Sequence, residues 1–494
     1  MITRDSQIYN SLSRRKEKLI TRKEGKLSFY SCGPTVYNLI HVGNLRSALV
    51  ADLFYRFWKQ IGFDVIFTRN YTDVDDKIIH RAQEDNLTAQ EVAEKFIEEV
   101  EKDYEKAGCL DPTYRPRVTD TMMEIIGLIE QIVSRGSGYV IDGNVVFSVD
   151  SFKDYGKLSG KHLEDLEVGA RVDRDTRKRN PLDFYLWKAS KEGEPFWESP
   201  WGKGRPGWHI ECSAMIQKLL GNQIDVHHGG SDLIFPHHEN EIAQSEAGSG
   251  KAPFVRYWLH HAFVTINQEK MSKSLGNVFS AREFLNKFSG EMARYMFLTP
   301  HYRSPIDFSE NAVWSAAKAL ERIYEAKNLA EDCVALSSQA IKNQAFEEFI
   351  AKISEEFYSA MSDDFHTPVA ISKVFDLIKE YNRLAYQGSN DDKAGRAKSF
   401  LRFLSEVLVP IFGFGGDNSK EVLVRLSEIQ KSIKGWDESG PEQLSATEIE
   451  SFISERELAR KQKDFKRSDK IRDELLAKGV ELKDTPLGPK WSYR

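Results

Sequence analysis

Residues 26–70 constrain the fold of this chain more than any other stretch. Lys26–Cys32 (KLSFYSC) reads as a strand that stops at Gly33-Pro34. Leu49, Leu53, Phe54, Phe57 and Ile61 then recur at helical spacing across Leu45–Ile61, and Gly62 ends the pattern. Asp64–Asn70 (DVIFTRN) reads as a second buried strand. Two such strands joined by one helix predict a parallel crossover in an α/β layer. Sheets of this kind bind ligands at the carboxyl ends of their strands. Cys32, His41 and Thr72 all fall at those ends.

His41–Asn44 (HVGN) stands where the first strand hands over to the helix. Gly43 lets the backbone approach a ligand closely. The helix start near Asn44 offers N–H groups and a positive dipole end to an anion. Far downstream, Lys270–Ser274 (KMSKS) places two lysines in one loop. This order and separation resemble the paired signature of class I aminoacyl-tRNA synthetases, in which both strings handle the phosphates of ATP. The resemblance implies catalytic and ATP-binding roles for His41, Asn44, Lys270 and Lys273, with Gly43 in the ATP site. Asn44 replaces the second histidine of the usual HIGH string. An amide there can donate a hydrogen bond but carries no charge.

Histidine is unevenly spread. Seven of the twelve lie between His209 and His261: His209, His227, His228, His237, His238, His260 and His261. His237 and Glu241 are four apart on a helix expected to open at Pro236, so they share a face. His238-Glu239 lacks the second histidine of an HExxH string, which leaves zinc-protease chemistry unsupported. Cys32 and Cys212 are candidate partners for His237 and Glu241. Two thiolates, an imidazole and a carboxylate would suit Zn²⁺. Both cysteines also read as buried small hydrophobes.

Longer segments carry a closer resemblance. Cys32–Tyr37 (CGPTVY), Asn70–Lys77 (NYTDVDDK), Gly207–Met215 (GWHIECSAM), Gly229–Leu233 (GGSDL), Phe235–Glu241 (FPHHENE) and Lys270–Asn277 (KMSKSLGN) are similar to the cysteinyl-tRNA synthetases. That family's pattern implies one zinc per chain on Cys32, Cys212, His237 and Glu241, and Mg²⁺ with ATP. It implies Asp232 beside the ribose, and Gly33, Thr72 and Trp208 in the amino-acid pocket. The implied activity is ATP-dependent activation of L-cysteine and its transfer to the terminal adenosine of tRNA(Cys). A zinc that prefers sulfur would reject serine, so no editing site is expected. The family also implies a monomer.

The implied architecture is a Rossmann-type class I synthetase core with an insertion, a helical bundle and a small C-terminal module. The expected boundaries are 1–121 and 208–265 for the two catalytic halves and 122–207 for the connective insertion. A KMSKS-bearing connector follows at 266–310, a bundle on the tRNA or anticodon side at 311–412, and a basic module at 445–494. Within the insertion, a helix is expected over Met122–Ser134 and a hairpin over Tyr139–Val149 turning at Asp142-Gly143, followed by irregular chain from Tyr155 to Gly207. After it, Trp208–Leu220 reads as a helix and Gln223–His227 as a short strand. Further helices are expected over Ala281–Leu298, Asn311–Ala330, Phe346–Met361, Pro368–Tyr386 and Ala397–Val409. Gly413–Ser419 and Gly435–Leu444 read as linkers, and Arg456–Arg472 as one basic helix.

Composition limits the alternatives. A length of 494 residues exceeds one core, and 40% hydrophobic with 29% charged residues reads as globular. There is no signal-like start and no apolar run long enough to span a bilayer, so no membrane association is expected. Four scattered cysteines form no CxxC pair and suit a reducing, cytoplasmic setting. A formal net charge of −6 argues against a generic nucleic-acid coat. RNA would have to meet local basic surface, such as Arg456–Arg472 with eight Lys/Arg against three acids. Two other readings stand beside the ligase: a cysteine ligase of thiol biosynthesis, and a tRNA-binding protein without catalysis.

Overall fold

The computed structural model describes residues 5–161, 177–266, 269–270, 279–433, 446–462, 464–477, 480–485 and 488–493. They form two compact units. The first takes residues 1–316, 352–374 and 404–416, and the second residues 317–351, 375–403 and 417–494.

A four-stranded parallel sheet organises the first unit. Its order is Val255–His261, Ile224–Gly230, Lys26–Ser31, Asp64–Arg69. The chain runs from the third of these to the fourth, then crosses to the second. Strand order therefore reverses between Lys26–Ser31 and Ile224–Gly230, which is where such sheets open a ligand crevice. The helix Val42–Gln60 packs on this sheet through Leu45, Leu49, Leu53, Phe54, Phe57 and Trp58, all buried. Phe29 meets Trp58 edge-on at 5.2 Å and stacks on Phe67 at 4.8 Å. Each such ring, fully buried, stabilises the layer by about 1.5–3 kcal/mol.

Several elements differ from the sequence reading. The helix begins at Val42, because His41 caps it. Asp76–Asp85 and Ala89–Lys106 are helices the hydrophobic pattern had not singled out. The first is polar on average, and its apolar face is only Ile78, Ile79 and Ala82. The strand Val255–His261 was also missed. It ends in paired histidines, so its burial is hidden from an apolar count. The strand Ile224–Gly230 runs three residues beyond the expected end at His227. Ala281–Leu298 is two helices, Ala281–Phe288 and Gly290–Leu298, broken at Ser289 with φ of 89°.

Met122–Ser134 is a helix with the expected bounds. Gly138–Ile141 and Asn144–Phe147 form the expected hairpin, with Asp142 and Gly143 at φ of 47° and 77°. The chain beyond it is not all irregular. Phe184–Ala189 and Gly204–Pro206 extend the hairpin into a four-stranded antiparallel sheet. Trp187 and Leu186 are buried in one core with Ile210, Cys212 and Met215 of the helix Trp208–Leu219. The stretch between these strands has few alternating apolar residues, which concealed the pairing.

Below the parallel sheet, Asp52 of the first helix takes a salt bridge from Arg294 and hydrogen bonds from Arg56 Nε at 2.6 Å and Leu110 N at 2.7 Å. Burial alone would raise the Asp52 carboxyl, but Arg294 and Arg56 outweigh it and lower it. The second unit contains the helix Asn390–Phe403, whose Phe400 stacks on Tyr381 at 4.5 Å. Ser419–Ile433 is a further helix, beginning where a linker had been expected to end. The expected linker at 435–444 lies outside the described residues. The expected single basic helix is two, Ala446–Lys461 and Phe465–Ala477, followed by the hairpin Val480–Thr485 with Gly488–Tyr493. Ile449, Ile471, Leu475, Val480 and Leu482 make its small core, with Trp491 packed against it.

Candidate active site and metal centre

The strand reversal opens a cavity of about 480 Å³. Cys32, Gly33, His41, Gly43, Asn44, Thr72, Trp208, Cys212, Asp232 and His237 all line it. These residues come from three distant parts of the chain. Glu241 sits behind this wall, fully buried. Lys270 ends the short strand Glu269–Lys270, and its side chain is not described; Lys273 lies outside the described residues.

At one end of the cavity the helix Val42–Gln60 presents its N-terminus. His41 Nδ1 accepts from the Gly43 and Asn44 N–H groups at 3.1 and 3.2 Å. Asn44 Oδ1 accepts in return from His41 N–H at 3.3 Å. The two side chains thus form a reciprocal cap. Because Nδ1 accepts from two donors, the neutral ring carries its proton on Nε2. The resemblance gave Asn44 a place in the ATP site; its local work is to close this cap, which needs an acceptor rather than a charge.

Gly33 and Asn70 knit the first two strand ends together. Asn70 Oδ1 accepts from Gly33 N–H at 2.9 Å. A Cβ on Gly33 would sit 1.7 Å from the Asn70 carbonyl oxygen, so this approach requires glycine. Thr72 N–H donates to Pro34 at 3.2 Å. Buried beside Thr72 is Glu211. Burial and the nearby Cys212 push its carboxyl well up, and its Oε2 has no partner among the described residues.

Cys32, Cys212, His237 and Glu241 converge, with all four donor atoms within 4.8 Å of one another. Cys32 Sγ is 4.0 Å from Cys212 Sγ and 3.7 Å from His237 Nε2. His237 Nε2 is 3.0 Å from Glu241 Oε1. Thiolates at ~2.3 Å from a tetrahedral ion stand ~3.8 Å apart, so the spacing fits Zn²⁺. The electrostatics divide the two thiols: burial and the neighbouring Cys212 hold Cys32 well above its usual pKa, so it stays protonated and donates. A hydrogen bond from Cys32 lowers the Cys212 thiol to about 6. Burial opposes charge on Glu241, yet His227 and His237 lower its carboxyl to about 2. Burial also opposes charge on His237, but Glu241 and Cys212 raise it to about 10. The cluster therefore attracts a cation, and a proton takes that place when no metal is bound.

A second set, Cys32, His227, His238 and Glu241, also lies within 4.8 Å. It has one thiolate rather than two. Neither His227 nor His238 lines the cavity, whereas Cys32, Cys212 and His237 do. The first set is the better zinc site and the one a substrate can reach.

The histidine-rich window supplies partners that sequence reasoning had not assigned singly. His227 Nε2 donates to Glu241 Oε2 at 2.9 Å. His209 Nδ1 lies 3.0 Å from His237 Nδ1, and burial with His237 keeps His209 well below its usual pKa. A neutral His209 accepts the His237 Nδ1 proton and leaves Nε2 for a metal. His238 Nδ1 meets His260 Nε2 at 2.8 Å. The uneven histidine count was the available signal; which ring faces which could not be read from spacing. Trp208, 41% exposed, stacks on the His237 ring at 4.5 Å and forms a wall of the cavity.

Comparison with known proteins agrees with this geometry. Residues 18–318 match the family of class I (C) tRNA synthetase catalytic domains, and residues 356–411 match the DALR domain. A protein of Trichlorobacter lovleyi named "Cysteine--tRNA ligase" is 45% identical over 494 residues, 99% of either chain. Namesakes from Geotalea daltonii and Desulforamulus reducens are 46% and 47% identical, over 99% and 98% of this chain and 99% of their own. Mycobacterium tuberculosis methionyl-tRNA synthetase with methionyl-adenylate shares the fold at a TM-score of 0.60 and 14% identity, over 81% of this chain and 93% of that one. A sheet that reverses at a capped helix N-terminus, a thiolate-rich cluster in the same cavity and full-length relatives of one kind lead to one assignment: this chain belongs to the class I cysteine–tRNA ligase family.

Proposed function

We propose that this enzyme activates L-cysteine with ATP and transfers it to the terminal adenosine of tRNA(Cys). The observation that supports this most directly is the shared cavity. A capped helix N-terminus and a two-thiolate donor set line one space of about 480 Å³. The first suits phosphate, the second suits sulfur.

In this reading ATP lies with its phosphates at the N-terminus of the helix Val42–Gln60, where the positive dipole end favours an anion, and its ribose near Asp232. His41 offers its Nε2 proton to a phosphate oxygen. Lys270 and Lys273 take up charge as pyrophosphate leaves, and Mg²⁺ arriving with ATP would share that charge. The cysteine carboxylate attacks the α-phosphorus, so positioning and charge stabilisation supply the catalysis. Thr72, Gly33 and Trp208 orient the amino acid. Zinc held by Cys32, Cys212, His237 and Glu241 would supply a coordination position that a substrate thiolate fills far better than a hydroxyl. A tRNA hydroxyl then attacks the adenylate. Residues 311–412 and the basic module of 445–494 are the surfaces proposed for tRNA.

A cysteine ligase of thiol biosynthesis shares the catalytic half of this reading. The DALR match and alignment over 99% of the length of tRNA ligases favour tRNA as acceptor. Cysteine-driven exchange of labelled pyrophosphate into ATP, followed by charging of tRNA(Cys), tests both steps. Exchange without charging would reassign the acceptor, and no exchange would refute the reading.

A further inference from the structure

Arg46 lies in the second turn of the helix that carries His41, and it is fully buried. Each hydrogen bond its guanidinium makes to described residues ends on a backbone carbonyl. Nη1 donates to Ala262 at 2.6 Å and Phe263 at 2.8 Å, and Nη2 to Ser304 at 2.7 Å and Tyr302 at 3.2 Å. No carboxylate among the described residues pairs with it, and burial pulls it down to about 9. Carbonyl dipoles, not a counter-ion, satisfy this charge, and their positions show what the residue holds together.

The four carbonyls have a common place. Ala262 and Phe263 directly precede the strand Val264–Ile266, which pairs with Glu269–Lys270. Tyr302 and Ser304 lie two to four residues before Ile306–Phe308, the parallel neighbour of Val264–Ile266. Arg46 thus grips the start of both parallel strands of the small sheet that carries Lys270. Nearby, Val42 N–H donates to Phe279 at 3.0 Å and Ala281 N–H to Ile40 at 2.9 Å. The chain on either side of the KMSKS string is therefore tied to the HVGN segment, by backbone on one side and by Arg46 on the other.

We propose that Arg46 is a positioning residue for adenylate formation. It fixes the sheet bearing Lys270 against the helix bearing His41, so that both elements address the same phosphates. This rests on the function proposed above. A planar fork reaches four carbonyls on two strands; a lysine ammonium radiates three donors from one point and cannot. The role is one of registration, so it acts on the transition state and not on cysteine binding.

The test is cysteine-driven pyrophosphate exchange with Arg46→Lys and Arg46→Ala, normalised to titrated active sites. A misplacement of ~1 Å costs ~10²-fold in rate, so kcat should fall by that order in both variants. The KM for cysteine should stay within about threefold, since binding is uniform across the change. Zinc stoichiometry should not alter. Added guanidinium should restore part of kcat in Arg46→Ala, whose vacated side-chain space opens on the cavity, and should not help Arg46→Lys. The proposal is overturned if kcat per active site stays near the parent value, or if its loss is matched by the loss of titratable sites and ignores guanidinium. Failure of Arg46→Lys to fold would overturn it as well, because the residue would then serve the fold itself. Absence of exchange in the parent enzyme would instead strike at the functional reading.

Discussion

Replacing His227 with phenylalanine isolates one hydrogen bond behind the metal cluster. His227 is fully buried and stacks on Trp258 at 4.5 Å and 21° between planes. A phenyl ring keeps that stack and most of the volume. What it removes is the Nε2 donor, 2.9 Å from Glu241 Oε2. A hydrogen bond to a charged group contributes about 1.5–3 kcal/mol. At about 1.4 kcal/mol per tenfold, zinc should bind ~10–100-fold more weakly. Competition against a chromogenic chelator reads this directly, with stoichiometry still one per chain at saturation. The pH dependence has a definite sign. His227 helps lower the Glu241 carboxyl to about 2. Without it that pKa rises, protons compete better, and the affinity deficit should widen as pH falls. A dissociation constant within about twofold of the parent, flat with pH, would refute the claim that His227 holds Glu241 as a ligand.

Three further outcomes are expected. Cys212→Ser should lose the metal and most cysteine affinity while ATP binding, measured by equilibrium dialysis, stays close to the parent; retained stoichiometric zinc would contradict the ligand set. Lys273→Ala should slow single-turnover adenylate formation by ~10²–10³ with little change in the KM for cysteine, as expected for a cation that meets charge on the leaving pyrophosphate; a rate within a few-fold of the parent would leave Lys273 an ordinary surface lysine. Asp52→Asn leaves Arg294 buried without its carboxylate and should cost about 3–5 kcal/mol, visible in urea unfolding, because removing one partner of a buried pair strands the other.

Much of the fold was legible because its local signals agree. The Leu45–Ile61 stripe and the strands on either side are strongly periodic, and their helix and strands fall at Val42–Gln60, Lys26–Ser31 and Asp64–Arg69. Met122–Ser134 and the turn at Asp142-Gly143 were equally plain, since Asp-Gly accepts positive φ on both residues. What failed to show was structure stabilised from a distance. The strand Val255–His261 is buried by neighbours, yet ends in polar rings. Phe184–Ala189 is a strand because a hairpin some forty residues earlier offers it an edge, and Gly204–Pro206 because Phe184–Ala189 offers the next.

The site divides in the same way. Cys32, Cys212, His237 and Glu241 were named from residue type and family resemblance, and the fold brings their donor atoms together. His227, His209 and Arg46 were not assigned roles, because their work depends on which atom faces which across 14 to 258 positions of chain. Asn44 looked like a defect in a motif and proves to be half of a cap.

The proposed function has the thiolate-rich cluster read sulfur at the activation step. Pyrophosphate exchange with cysteine and with serine as competing substrates measures that claim most directly, as a ratio of kcat/KM. Shape alone separates such near-isosteres by no more than ~10². A ratio well above that is expected, together with no enzyme-catalysed hydrolysis of serine-charged tRNA. A ratio near the shape limit, or brisk serine activation cleared by hydrolysis, would contradict it.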